Sequence, residues 1–151
     1  MNEDLVALMR ARIPPGFTVE LPPKCFVDMQ AEMVELLRDE DDPARTVRGL
    51  TLRFPVQERY QNPLRYMQGG YIVAAVDNTL GPLSWLAAPP SVTSHLNTSY
   101  IRPVTPDDAY IVVAGRVTEL TRRQLFLEAK VTNAAGKLVA ISQATCTIVN
   151  G

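Results

Sequence analysis

The sequence predicts an α+β domain in which a curved antiparallel sheet wraps one long apolar helix. Three observations carry that reading. Residues 70–87 are almost wholly apolar and follow a Gly-Gly pair, Gly69-Gly70, with Asp77 the only charged side chain between Gly69 and Ala88. Four runs with strand-like patterning come after the Pro89-Pro90 stop. Connections as short as Thr121-Arg122-Arg123 and Asn133-Ala134-Ala135-Gly136 fit hairpins. An order of strand, long helix and four antiparallel strands puts one sheet face on the helix. The other face is left for solvent or another subunit.

The elements follow in order. Residues 3–12 suggest a short amphipathic helix, with acids at its start and arginines at its end to suit the helix dipole, stopped before Pro14-Pro15-Gly16. Residues 17–21 read as a short extended piece before Pro22-Pro23. Met29, Met33, Leu36 and Leu37 recur at helical spacing, so a helix is expected over 27–39. The charged run Asp39-Glu40-Asp41-Asp42-Pro43 is a solvated loop. Together, residues 1–45 form an N-terminal helical extension, and residues 46–151 form the main domain.

Residues 46–57 alternate Leu50, Leu52, Phe54 and Val56 with Thr51, Arg53 and Pro55, which is a strand pattern. Pro55 has no N–H for a ladder, so this strand is expected at an edge or interrupted there. The long helix is expected over about 70–87, with a kink at Pro82, which cannot bond the carbonyl of Asn78. Strands are then expected over 92–101, 109–120, 124–133 and 137–149. In the first of these, Val92, Leu96 and Tyr100 face one way, and Thr93, His95, Asn97 and Ser99 the other.

Composition narrows the function classes. The chain has 151 residues, 46 % of them hydrophobic, with 15 Lys and Arg against 16 Asp and Glu, for a net charge of −1. That length suits one domain with a sizeable core. No basic stripe stands out, so nucleic acid is not an expected partner. Cys25 and Cys146 fit no metal spacing and read as two buried free thiols. One histidine, His95, leaves little material for a zinc site or a Ser-His-Asp triad. The start Met-Asn-Glu-Asp lacks a signal-peptide pattern. The apolar helix carries Asp77, Asn78, Gly81 and Pro82, so it is a poor membrane span. A soluble, cytoplasmic protein is expected, with no membrane partner.

The long helix also reads as a site. Gly70 and Asp77 are seven residues apart, two turns on one face, with Ala74 between them. A helix N-terminus carries roughly half a positive charge and offers free N–H groups to a developing anion. A lone carboxylate on a core helix needs a partner or a purpose. The pair suggests an end that polarises an electrophile and an acid further along.

At this point the chain resembles the hot-dog-fold acyl-CoA thioesterases, in particular the phenylacetate-pathway and 4-hydroxybenzoyl-CoA thioesterase-like branch. The pattern is Asn62-Pro63, then Gln68-Gly69-Gly70, then Asp77, followed by Leu96-Asn97-Thr98-Ser99-Tyr100-Ile101-Arg102-Pro103 and Ala135-Gly136-Lys137-Leu138-Val139-Ala140. The resemblance covers about residues 46–149. It implies hydrolysis of an acyl- or aroyl-CoA thioester at a site shared between two subunits of a homodimer or dimer of dimers. Asp77 would be base or nucleophile, and Gly69 and Gly70 would donate an N–H to the thioester oxygen. Asn62 and Gln68 would orient the carbonyl, and Thr93 would stand near the attacking water. Arg102, Arg122 and Arg123 would meet the phosphates of coenzyme A. Coenzyme A enters as part of the substrate; no metal and no separate cofactor is implied. For Asn62 and Thr93, ordinary turn and strand roles are equally open. Tyr71 and Trp85 read as core or acyl-pocket wall.

The family's usual histidine before Gly-Gly is Gln68 here. Glutamine donates and accepts hydrogen bonds but does not titrate near neutral pH, so a positioning role survives and a proton-transfer role does not. Two rivals follow: a non-catalytic acyl-CoA-binding hot-dog protein, and a hot-dog dehydratase or hydratase, which needs a catalytic histidine that His95 is poorly placed to supply.

Overall fold

A computed structural model describes residues 3–149. The elements are α1 (Glu3–Arg10), α2 (Lys24–Asp28), β1 (Glu32–Arg38), β2 (Val47–Pro55), α3 (Gly69–Ala87), β3 (Ser91–Tyr100), β4 (Tyr110–Leu120), β5 (Gln124–Asn133) and β6 (Leu138–Ile148), with a short 3-10 turn, Glu58–Tyr60, before α3. The six strands form one antiparallel sheet in the order β1-β2-β4-β5-β6-β3. The sheet carries α3 on one face. This is the hot-dog fold. Among the described residues no helix is long and apolar enough to cross a membrane.

Alternation builds the core. Leu50, Leu52 and Phe54 of β2, Ile111 and Val113 of β4, Leu125, Leu127, Ala129 and Val131 of β5, and Ala140, Ala144 and Cys146 of β6 are buried. Between them Ala114, Arg116, Phe126, Glu128, Lys130, Ile141 and Gln143 are exposed on the other face. Helix α3 adds Ile72, Val76, Leu80 and Leu83. Its interior Gly81 and Pro82 cost about 1 and 3 kcal/mol relative to alanine. Each fully buried large apolar side chain contributes roughly 1.5–3 kcal/mol, so packing rather than propensity holds this helix. It runs through Pro82 as one element and ends before Pro89-Pro90. At the tightest approach, a Cβ on Gly115 would come within 2.8 Å of Leu80 Cδ2, so glycine lets β4 and α3 meet.

Two expectations about the elements are corrected. The helix expected over 27–39 is replaced by the short α2 and the strand β1, so the N-terminal extension is not wholly helical but adds an edge strand to the sheet. Register shifts between Met33 and Glu35 and between Leu37 and Arg38 break the period of two in β1, and the apolar residues then fall at helix-like spacing. In β3, a shift between Thr93 and His95 flips the strand's facing. Thr93, Leu96, Thr98 and Tyr100 pair with Cys146, Ala144, Ser142 and Ala140, the helix-facing positions of β6, while His95, Asn97 and Ser99 pair with the outward ones. Thr93 therefore does not share a face with His95.

Strand β2 lies inside the sheet, yet Pro55 costs no ladder bond. Pairing with β1 ends at Arg53. The Val56 N–H reaches the Ala109 carbonyl on the β4 side, so the nitrogen of Pro55 faces the side that β1 has left.

Candidate active site

Two patches lie along α3. The first is its N-terminus. Residues Asn62 to Tyr66 form a tight turn in which the Asn62 Oδ1 accepts the N–H groups of Leu64 (2.9 Å) and Tyr66 (3.1 Å). Asn62 thus has a turn role. The Gln68 N–H is bonded to the Tyr60 carbonyl at 2.7 Å, and the Gln68 side chain makes no cap bond to the helix. The Gln68 carbonyl takes up the Tyr71 N–H at 2.9 Å. The N–H groups of Gly69 and Gly70, which precede it, have no intrahelical acceptor.

The two glycines differ. A Cβ on Gly69 would come within 3.0 Å of the Tyr100 ring, whose hydroxyl donates to the Gly69 carbonyl at 2.9 Å. A Cβ on Gly70 would meet nothing within 4 Å. Packing within the chain therefore explains Gly69 and not Gly70. Gly70→Ala keeps the backbone N–H but sets a methyl group in the open space before it, so it is expected to keep or raise Tm while lowering kcat/KM about 10²-fold, the cost of displacing a bound carbonyl by about 1 Å. Gly69→Ala is expected to lower Tm. Thermal denaturation beside kinetics checks both, and a Gly70→Ala protein with full activity would remove Gly70 from the site.

A clamp fixes this end. The Asp28 carboxylate accepts from the Tyr60 hydroxyl and from Arg59 (2.7 Å), and the Tyr60 ring stacks on Tyr71 with centroids 4.0 Å apart. Burial and the bond to Asp28 push the Tyr60 phenol up to about 12. The folded phenol thus ionises at higher pH than the unfolded one, near 10. Its contribution to stability is complete below about pH 10 and is lost as pH rises through about 12. Tm should fall more steeply between those values in the wild type than in Tyr60→Phe; equal slopes would unlink Tyr60 from the fold.

The second patch is Asp77. Its carboxylate is exposed on the single chain, contrary to the buried acid expected, because α3 turns this side toward the open edge of the sheet. The Thr93 hydroxyl donates to Asp77 Oδ1 at 2.8 Å. The shift in β3 that turns Thr93 toward the helix makes this contact. Cys146 lies behind, its Sγ 3.9 Å from the Thr93 hydroxyl, and burial pushes its thiol up, so it stays protonated. Cys25 is also free but exposed, contrary to expectation.

Among the remaining candidates, Arg102 lines the same groove of about 350 Å³ as Asn62, Gly69 and Tyr100. Its guanidinium donates to the Leu138 carbonyl at 2.8 Å. Arg122 and Arg123 sit in the β4–β5 turn, beside Ile148 and the start of β3, at the opposite end of the sheet from Arg102. One chain does not bring the three arginines together. His95 is exposed on the outward face, beside Asn97. Sequence reasoning missed Tyr100 as the ring that shapes the groove, although it stands inside the Leu96–Pro103 motif. Among the described residues no three His, Cys, Asp or Glu side chains gather to hold a metal ion.

This fold, with a glycine-led central helix and a single acid two turns along it, defines a class. Residues 65–140 match the thioesterase superfamily. The chain belongs to that superfamily. Among solved structures it is similar to the conserved protein PA5202 from Pseudomonas aeruginosa, at 26 % identity and TM-score 0.71, covering 84 % of this chain and 94 % of that one. It is also similar to the E. coli PaaI protein of the phenylacetic acid degradation operon, at 15 % identity and TM-score 0.74, covering 86 % and 87 %. A hypothetical thioesterase from Streptococcus pneumoniae TIGR4, solved with coenzyme A, aligns at 18 % identity and TM-score 0.69, covering 80 % and 89 %. No curated protein matches the chain.

Proposed function

We propose that the protein hydrolyses acyl- or aroyl-CoA thioesters at sites shared between two copies of the chain. The observation that carries this reading is Asp77, held by Thr93 on an open helix face, two turns from the unblocked N–H groups of Gly69 and Gly70. Membership of the thioesterase superfamily supports the reaction class, and the pneumococcal neighbour solved with coenzyme A supports a CoA ester as ligand.

The thioester carbonyl points at the Gly69-Gly70 end, where the dipole and free N–H groups stabilise the developing oxyanion. The Asp77 carboxylate either takes a proton from water as the water adds to the carbonyl carbon, or itself adds to that carbon. Either route expels the coenzyme A thiolate and, after hydrolysis, leaves the free acid. The Asn62 amide and Gln68 help fix the carbonyl.

Helix geometry argues for two copies. Seven residues rise about 10 Å along a helix, so Gly70 and Asp77 of one chain are too far apart to act on one carbonyl carbon. Strand β3 is an edge with ten residues of backbone unpaired on one side. Pairing two β3 edges antiparallel about a two-fold axis brings Asp77 of one copy toward Gly70 of the other. It also brings the Arg122-Arg123 turn of one copy toward the Arg102 end of the other, so all three can meet one coenzyme A. No separate cofactor is required, and a cytoplasmic enzyme fits this use.

Release of free thiol from a panel of acyl-CoAs by the pure protein tests the reading. Turnover of at least one ester is expected. Gln68 in place of histidine favours a second reading, binding without turnover; tight binding with no thiol release from any ester would establish it. If Gln68 positions the carbonyl, Gln68→His keeps or raises the rate and Gln68→Ala lowers it.

A further inference from the structure

We propose that the N-terminal segment, from Met9 to Phe26, builds the acyl pocket beside Asp77 and selects medium-chain or aryl acyl groups; this rests on the thioesterase reading above. A pocket of about 310 Å³ opens where Asp77 and Thr93 face it. Its walls are Met9, Val19, Leu21 and Phe26 from the segment, and Pro82 and Trp85 from α3. Glu20, exposed and paired with Lys24, and Asn78 also line it; the other walls away from Asp77 and Thr93 are apolar, which suits a hydrocarbon or ring. The volume equals roughly ten water-sized groups of about 30 Å³ each, enough for an eight-carbon chain or a phenyl ring.

The segment is built into the fold here and is not a loose arm. Leu5, Met9, Phe26 and Met29 are buried in the common core. The Arg12 Nε donates to the Trp85 carbonyl at 3.3 Å, and an Arg10 guanidinium N–H to the Leu21 carbonyl at 3.4 Å. Asn78, the neighbour of Asp77, accepts from the Cys25 thiol at 3.3 Å and donates to the Met29 sulfur at 3.3 Å. The wall therefore has a fixed distance from the acid. A neutral thioester fits beside Asp77, whereas its carboxylate product meets a like charge there, which favours release.

Val19 and Leu21 are only half-buried; Val19 stands off the core, and Leu21 packs against its rim. Val19→Phe, which fills the pocket, should lower the ratio of kcat/KM for octanoyl-CoA over acetyl-CoA about tenfold or more, since a methylene's fit is worth about 10–200-fold. Leu21→Ala, which enlarges it, should raise the ratio for dodecanoyl-CoA over octanoyl-CoA. A merely structural role would lower all substrates together. Trp85 is the only tryptophan, so its fluorescence reports occupancy without turnover. Octanamide should change it saturably, more tightly than octanoate, and Val19→Phe should weaken the binding. Thioester hydrolysis with unchanged ratios in both variants and silent fluorescence would overturn the pocket assignment, as it would if a second copy's side chains fill the space. Octanamide binding without hydrolysis of any ester would instead leave the pocket standing and sink the enzymatic reading.

Discussion

Asp77→Asn is expected to leave a folded protein with kcat reduced about 10²–10⁴-fold, the range over which one acid–base group typically contributes. The substitution is nearly isosteric. Asp77 is exposed, and an asparagine Oδ1 still accepts the Thr93 hydroxyl, so stability should change within about 0.5 kcal/mol. The amide, however, neither takes a proton nor adds to a thioester carbon. KM should change far less than kcat, because the acyl group and the coenzyme A are held by other residues. Circular dichroism and steady-state kinetics on the same preparation make the comparison. Wild-type kcat in the variant would make Asp77 a structural acid.

The second large effect concerns assembly. Asn97→Lys, in the middle of the β3 edge, is expected to yield monomers with little or no turnover. Charged edge residues blunt strand pairing, and a two-fold axis sets like charges near one another. Asn97 is exposed on the outward face, and its side-chain hydrogen bond is to His95 at 3.3 Å, so the chain's own fold should persist. Sedimentation and activity measured over the same concentration range decide the matter. A monomer of either protein with full activity per chain would contradict a shared site.

How much of this was legible in the sequence depends on where the chain keeps its periodicity. The helix at Gly69–Ala87 and the strand at Gln124–Asn133 appear as the sequence predicts, because apolar runs and strict alternation are undisturbed there. Strand β1 was illegible as a strand because its two register shifts move Leu36 and Leu37 into helix-like spacing. The same cause misplaced Thr93: one shifted residue in β3 turns it toward Asp77, and nothing local in Thr93-Ser94-His95 announces that. Asp77 was read as buried because an apolar helix implies a core on all sides, yet one side of α3 faces an open sheet edge. The arginines fell apart for a related reason, since sequence proximity to strand ends does not say which end of the sheet each strand presents. The wall that Val19, Leu21 and Phe26 raise beside Asp77 depends on contacts across more than fifty residues of sequence, which no local pattern encodes.

The central claim is that Asp77 and the Gly70 N–H serve one thioester from different chains. Subunit complementation tests it most directly. Asp77→Asn and Gly70→Val, each inactive alone, are mixed, dissociated and allowed to reassociate, and thiol release is measured on the best acyl-CoA. Random pairing in a two-fold dimer makes half the dimers mixed, each with one intact site, so about a quarter of wild-type activity should return. If the mixture contains mixed dimers but no activity above that of the two parents, Asp77 and Gly70 do not act across subunits, and the shared-site account is wrong.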